Sequence, residues 1–340
     1  MNTAELAATA HALVANHRGI LAADESTSTI AKRFATIKLD STEENRRLYR
    51  EMLFTAPGIA EHISGVILYD ETLRQKTRDG VPFATYLTER NMIPGIKVDT
   101  GAKPLPGFPG ETITEGLDGL RERFAEYYKL GARFAKWRAV IDIGAGVPSG
   151  YAIEANAEAL ARYAALCQEA SIVPIVEPEV LMDGAHTLER CEEVTNLVLD
   201  RVFSRLFAAR IYLEGMVLKP NMVIAGKKCQ QKCSPQQVAE ATVRTLKRQV
   251  PPAVPGIAFL SGGQSPTEAT LHLSLMNAMG SLPWALTFSY GRALQEDALA
   301  AWRGKPEAFA DGQQAFSVRA KLNRLAAGGS YDPSLEKSAA

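Results

Sequence analysis

Seven stretches of this chain end in residues able to do proton or carbonyl chemistry or to hold an anion. Asp24 closes a Gly-Ile-Leu-Ala-Ala run, Lys97 and Asp99 flank Val98, and Lys219 closes Met-Val-Leu. Lys136 alternates with Arg138, and Glu177 with Glu179. Residues two apart on a strand point the same way, so each of these pairs shares a face. An amine partly desolvated among other cations favours its neutral form, and a neutral amine attacks a carbonyl. A carboxylate beside it can carry protons while a carbinolamine forms and loses water. The last two stretches, Ser261-Gly262-Gly263 and Ser289-Tyr290-Gly291-Arg292, offer backbone N–H groups and one guanidinium suited to a phosphate. One such lysine alone is ordinarily a snorkelling surface side chain, and one Ser-Gly-Gly a tight turn. Three lysines at three strand ends, alternating with carboxylates, read instead as a cluster. The residues by themselves lead to a lysine-dependent lyase or transferase acting on a sugar phosphate.

The elements that must position these groups are legible as short apolar, β-branched runs. Strands are predicted at 19–23, 65–69, 95–98, 134–141, 172–176, 215–218, 257–260 and 285–288. Their near-continuous apolar character suits parallel strands covered on both faces. Helical periodicity fills the intervals, with helices predicted at 114–130, 151–170 and 188–207. Ser234-Pro235-Gln236-Gln237 and Ser265-Pro266-Thr267-Glu268 each give an N-cap serine, a first-turn proline and a Gln or Glu three residues past the cap. Eight strand–helix alternations predict an α/β fold, a single (β/α)8 TIM barrel with an N-terminal helix. The barrel is expected over 1–328, followed by a flexible tail at 329–340 that has too little apolar surface to dock firmly. A doubly wound open sheet is disfavoured because no GxGxxG fingerprint follows the first strand.

Composition narrows the classes further. Across 340 residues, 38 Lys+Arg balance 38 Asp+Glu, which argues against bulk nucleic-acid affinity. No apolar run approaches the ~20 residues of a membrane span, so no membrane partner is expected. Cys229 and Cys233 are spaced C-x3-C with no histidine nearby, so no metal and no cofactor is expected, and a reducing, cytoplasmic setting is. The basic stretch Lys227-Lys228…Lys232 reads as a solvated loop. A transaldolase-like transferase and a non-catalytic scaffold that binds filaments or nucleic acid stand as alternatives. The first would not call for two phosphate grips, and the second has no need of Asp24, Lys136, Glu177 and Lys219.

The segments GILAADEST (19–27), GIKVD (95–99), FAKWR (134–138), VPIVEPE (173–179), YLEGMVLKPNMV (212–223), FLSGGQS (259–265) and LTFSYGRALQ (286–295) together resemble class I fructose-1,6-bisphosphate aldolase. The resemblance runs in order from about residue 10 to 325. It implies reversible cleavage of fructose 1,6-bisphosphate, with Lys219 forming a Schiff base to the substrate ketone. Glu177 would donate and accept protons in carbinolamine dehydration, Asp24 would handle the C4 hydroxyl proton, and Lys136 would support charge. Glu179 would pair with the lysines and position them. Ser261, Gly262, Gly263, Ser289, Gly291 and Arg292 would hold the phosphate of the dihydroxyacetone half. Ser26, Thr29 and Lys97 would approach the other phosphate, with Arg138 nearby. A homotetramer is also implied. Two departures stand out: the S-T-G-S usual in the family reads Ser26-Thr27-Ser28-Thr29 here, the lost glycine being expected to stiffen that loop, and the chain ends in alanine where vertebrate members end in tyrosine.

Overall fold

The predicted apolar runs pair edge to edge and close on themselves. In the computed structural model, which describes residues 1–339, the barrel strands are β1 (Gly19–Ala23), β2 (Ile63–Leu68), β3 (Ile93–Lys97), β4 (Phe134–Ile141), β5 (Val173–Val180), β6 (Val217–Leu218), β7 (Gly256–Phe259) and β8 (Ala285–Tyr290). They are parallel and follow chain order around the ring, with β1 paired to both β2 and β8. Ile20 opposite Ser289 completes the closure. β5 is buried at every position, as a strand covered on both faces must be.

The interior is apolar at one end and charged at the other. The helix Thr3–Val14 places Leu6, Ala10, Leu13 and Val14 among Ile20, Ile67, Phe134, Val173, Ile175, Val217 and Ala258, plugging the end where the strands begin. Gly65 and Gly95 permit this. A β-carbon at Gly65 would lie 2.7 Å from Leu13 Cδ2, and one at Gly95 only 2.3 Å from the Phe134 ring. With that end filled by hydrocarbon, only the C-terminal mouth is left for ionisable groups.

Helices Gly150–Glu169, Leu188–Ala208, Pro235–Gln249, Pro266–Asn277 and Arg292–Trp302 cover the outside after β4 to β8. The two serine caps form as the sequence predicts: Ser234 and Ser265 each accept from the third helical N–H, and Gln237 and Glu268 reach back to the cap N–H.

Two expectations give way. The helix predicted at 114–130 spans only Leu120–Lys129, because Thr112–Glu115 pairs antiparallel with Gly101–Pro104 as a hairpin over the barrel. β-branched Thr112, Ile113 and Thr114 favour that extension, and Gly119, in the left-handed region at φ 65°, starts the helix later. The tail expected to be mobile is docked. Tyr331 is 6% exposed within the main core cluster, and its N–H donates to Ser274 Oγ at 3.2 Å. Its hydroxyl donates to Glu336 at 2.7 Å, and Arg319 holds that carboxylate with bonds of 2.7 and 2.9 Å. A segment poor in apolar residues on average can still anchor through one aromatic ring. Ala340, the terminal residue of the expected tail, lies outside the described residues.

Candidate active site

Every residue given a catalytic or phosphate-binding role from the sequence lines one cavity of about 830 Å³ at the C-terminal mouth: Asp24, Ser26, Thr29, Lys97, Lys136, Arg138, Glu177, Glu179, Lys219, Ser261, Gly262, Gly263, Ser289, Gly291 and Arg292. β6 is only two residues long, yet the ladder continues one step further, because the Lys219 N–H donates to Val176 O at 2.8 Å. That bond fixes where the Lys219 side chain enters the barrel.

At the centre is a chain of alternating charge. Lys219 Nζ lies 3.3 Å from Glu177 Oε1, and Lys136 Nζ lies 3.3 Å from Glu177 Oε2. Lys136 also reaches Asp24 at 2.9 Å and Asp99 at 3.8 Å. Lys97 pairs with Asp99 at 3.2 Å, and Arg138 pairs with Glu179 in a short contact. Four cations thus face four carboxylates, which is what keeps so much charge tolerable in a largely buried place.

The same arrangement sets protonation. Burial would raise the pKa of Asp24, but Lys136, then Lys219 and Lys97, hold its carboxyl well below the usual carboxylate range. Glu177 behaves alike: burial pushes up, and Lys136, Lys219 and Arg138 bring it below its ordinary value. For Lys136 burial pushes down, but Asp24, Glu177 and Asp99 win and raise it, so this ammonium stays charged. The expectation that the clustered lysines favour neutral amines therefore fails for Lys136, because carboxylates outnumber cations in its own contacts.

Among the described residues Glu179 pairs with Arg138 and with none of the lysines it was expected to position. Asp99, noted at its strand end but given no role, ties the floor together through Lys97, Lys136 and the Arg138 N–H at 3.4 Å. Ser26 caps the helix Thr27–Ala35 and lies 3.0 Å from Thr29 Oγ1. Ser28 falls inside that helix, so the lost glycine brings no backbone strain there. Lys32 and Arg33, overlooked in the sequence, share the cavity with Thr29 and Thr36; the i, i+3, i+4, i+7 spacing was the available signal. Lys227, assigned to a solvated loop, also lines the cavity.

The far side has the features of an anion cradle. Gly262 and Gly263 lie in the left-handed region at φ 57° and 86°, which turns their N–H groups away from the ladder. Among the described residues neither N–H has a partner. Among the same residues Ser289 Oγ is buried with no hydrogen-bond partner and Arg292 makes no ion pair. These are donors of the kind a tetrahedral anion takes.

A closed parallel barrel with an amine, a bridging carboxylate and unspent anion donors at one mouth defines a barrel enzyme of the lysine-nucleophile class. The family profile described as fructose-bisphosphate aldolase class-I matches residues 5–340. A protein of Xanthomonas axonopodis pv. citri (strain 306), described as probable fructose-bisphosphate aldolase class 1, is 58% identical over 97% of this chain and 99% of its own length. The cytosolic fructose-bisphosphate aldolase 5 of Arabidopsis thaliana is 56% identical over 96% and 91%. The solved fructose-bisphosphate aldolase of Plasmodium falciparum, in complex with TRAP and a small molecule inhibitor, is 53% identical and superposes with a TM-score of 0.96, covering 97% of this chain and 96% of that one. The chain belongs to the class-I fructose-bisphosphate aldolase family. It is a carbon–carbon lyase.

Proposed function

We propose that fructose 1,6-bisphosphate is cleaved here through a Schiff base on Lys219, and that the carrying observation is the Lys219–Glu177–Lys136–Asp24 chain, with contacts of 3.3, 3.3 and 2.9 Å. Lys219, once deprotonated, attacks C2 of the open-chain ketose. The Glu177 carboxylate beside it takes up the ammonium proton and returns one to the carbinolamine hydroxyl, which leaves as water. The resulting iminium draws electrons from the C3–C4 bond. Asp24, held ionised by its lysine neighbours, accepts the C4 hydroxyl proton as that bond breaks and glyceraldehyde 3-phosphate forms. The remaining enamine takes a proton at C3, Asp24 returns its own to solvent, and water hydrolyses the imine to free dihydroxyacetone phosphate and Lys219.

Lys136 supplies fixed positive charge to both carboxylates and moves no proton of its own. Ser261, Gly262, Gly263, Ser289, Gly291 and Arg292 bind the phosphate of the dihydroxyacetone half. Ser26, Thr29, Lys97 and Arg138 approach the other phosphate; Lys32 and Arg33 line the same cavity, with Arg33 Nη2 3.5 Å from where a β-carbon at Gly291 would lie. The four free thiols, Cys167, Cys191, Cys229 and Cys233, suit a reducing cytoplasm. A homotetramer is the assembly implied by resemblance, and light scattering of the purified protein tests it. Borohydride trapping with substrate tests the chemistry: the adduct should map to Lys219.

A further inference from the structure

Lys227 stands where a second phosphate cation would. The loop after β6 is stitched to the loop after β5 by three backbone bonds: Lys227 N–H to Met182 O at 2.7 Å, Gly226 N–H to His186 O at 2.9 Å, and Lys228 N–H to Gly184 O at 3.0 Å. Gly226 is essential to that approach, since a β-carbon there would lie 2.2 Å from Gly184 O. The stitched loops carry the Lys227 side chain over the glycine turn after β7. A β-carbon at Gly263 would meet Lys227 Nζ at 2.5 Å and Arg292 Nη2 at 3.2 Å, so the two cations reach the same point above the turn. The free N–H groups of Gly262 and Gly263 belong to that turn.

The ammonium is currently engaged elsewhere. Lys227 Nζ donates to Asp183 Oδ1 at 2.8 Å, with side chains 43% and 62% exposed. An ion pair that open to water is weak and readily exchanged. A dianionic phosphate seated on two N–H groups and the Arg292 guanidinium is the stronger acceptor for the same ammonium.

We propose that Lys227 is a specificity-determining residue for the dihydroxyacetone-side phosphate, leaving Asp183 to bind it when substrate enters and returning when product departs. This rests on the assignment of the glycine turn and Arg292 as that phosphate's site. The exchange breaks one ion pair and makes another, with no covalent step.

The test is the condensation reaction, in which the two phosphates arrive on separate molecules. Lys227→Ala should raise the KM for dihydroxyacetone phosphate about tenfold, leave the KM for glyceraldehyde 3-phosphate unchanged and keep kcat within about twofold. Lys227→Arg should restore most of the loss, and the gap between wild type and Lys227→Ala should narrow at high ionic strength, where partly exposed charges are screened. Asp183→Asn, by removing the competing acceptor, should lower the KM for dihydroxyacetone phosphate. An unchanged KM in Lys227→Ala, while Arg292→Ala raises it, overturns the proposal alone. An unchanged KM in both variants overturns the underlying phosphate site as well. A fall in kcat with both KM values moving together marks a structural role for Lys227 and also overturns the proposal.

Discussion

Glu177 bridges two lysines symmetrically: Oε1 lies 3.3 Å from Lys219 Nζ and Oε2 lies 3.3 Å from Lys136 Nζ. One carboxylate therefore senses both the amine that would attack and the ammonium that stays charged. In the proposed mechanism a proton passed from Lys219 to Glu177 would weaken its hold on Lys136 and leave Asp24, at 2.9 Å, as the nearest carboxylate to that ammonium.

Removing the amine should remove the reaction. Lys219→Ala is expected to abolish cleavage, and borohydride with substrate should trap a stable amine on Lys219 in the wild type. Peptide mapping of the adduct reads this directly, and an adduct on Lys97 or Lys136 would refute the assignment. Activity should persist with a chelator present, because iminium formation provides the electron sink.

Neutralising the bridge should cost about 100-fold or more in kcat, the usual scale for a general acid–base group. Glu177→Gln keeps the shape but cannot accept a proton from Lys219. Single-turnover kinetics with borohydride quenching should show the defect in imine formation. A variant that forms the imine at the wild-type rate would assign Glu177 a purely electrostatic part.

Arg292→Ala should raise the KM for fructose 1,6-bisphosphate more than it lowers kcat. The guanidinium makes bidentate, charge-assisted bonds to phosphate that a lysine does not reproduce. Steady-state kinetics on purified protein is sufficient, and an unaffected KM would place Arg292 outside the phosphate site.

Acid should destabilise the fold in two windows. Buried His272, with Nδ1 2.5 Å from Gln264 Oε1, is lowered by burial, against a smaller upward pull from Glu268, to about 4. A histidine that binds its proton more weakly when folded favours unfolding once the unfolded chain protonates. Stability is thus lost from about pH 6.5, the unfolded value, down to about 4, by on the order of 3 kcal/mol. The depressed Asp24 works in the window below: its contribution is present above about pH 4 and disappears as pH falls through its lower folded value. Urea unfolding across pH should show the first slope flattened in His272→Gln and the second in Asp24→Asn.

The tail should matter to stability before it matters to catalysis. Tyr331→Ala removes a buried ring and should cost about 2–4 kcal/mol, whereas Tyr331→Phe loses only the bond to Glu336, about 1 kcal/mol. Denaturant melts separate the two. If deletion of 330–340 leaves both cleavage and proton exchange on dihydroxyacetone phosphate at wild-type rates, the tail has no catalytic part. If exchange falls more than cleavage, Tyr331→Phe tells whether the phenol is responsible.

What the sequence determined by itself was local. Strand runs, serine caps and the polar residue closing each strand follow from periodicity and near-neighbour chemistry, and a parallel barrel sends all its C-terminal strand ends to one mouth. Hence Asp24, Lys136, Glu177 and Lys219 could be gathered before any distance was known. Only the tertiary structure decided which carboxylate met which cation, because partners on different strands are set by register and side-chain reach rather than by spacing along the chain. That is why Glu179 turned to Arg138, Asp99 emerged as the hub of the floor, and Lys227, on an exposed loop, also lines the cavity. The same reason explains the tail: composition averages over twelve residues, whereas docking depended on Tyr331 finding Ser274 on a helix 57 positions earlier.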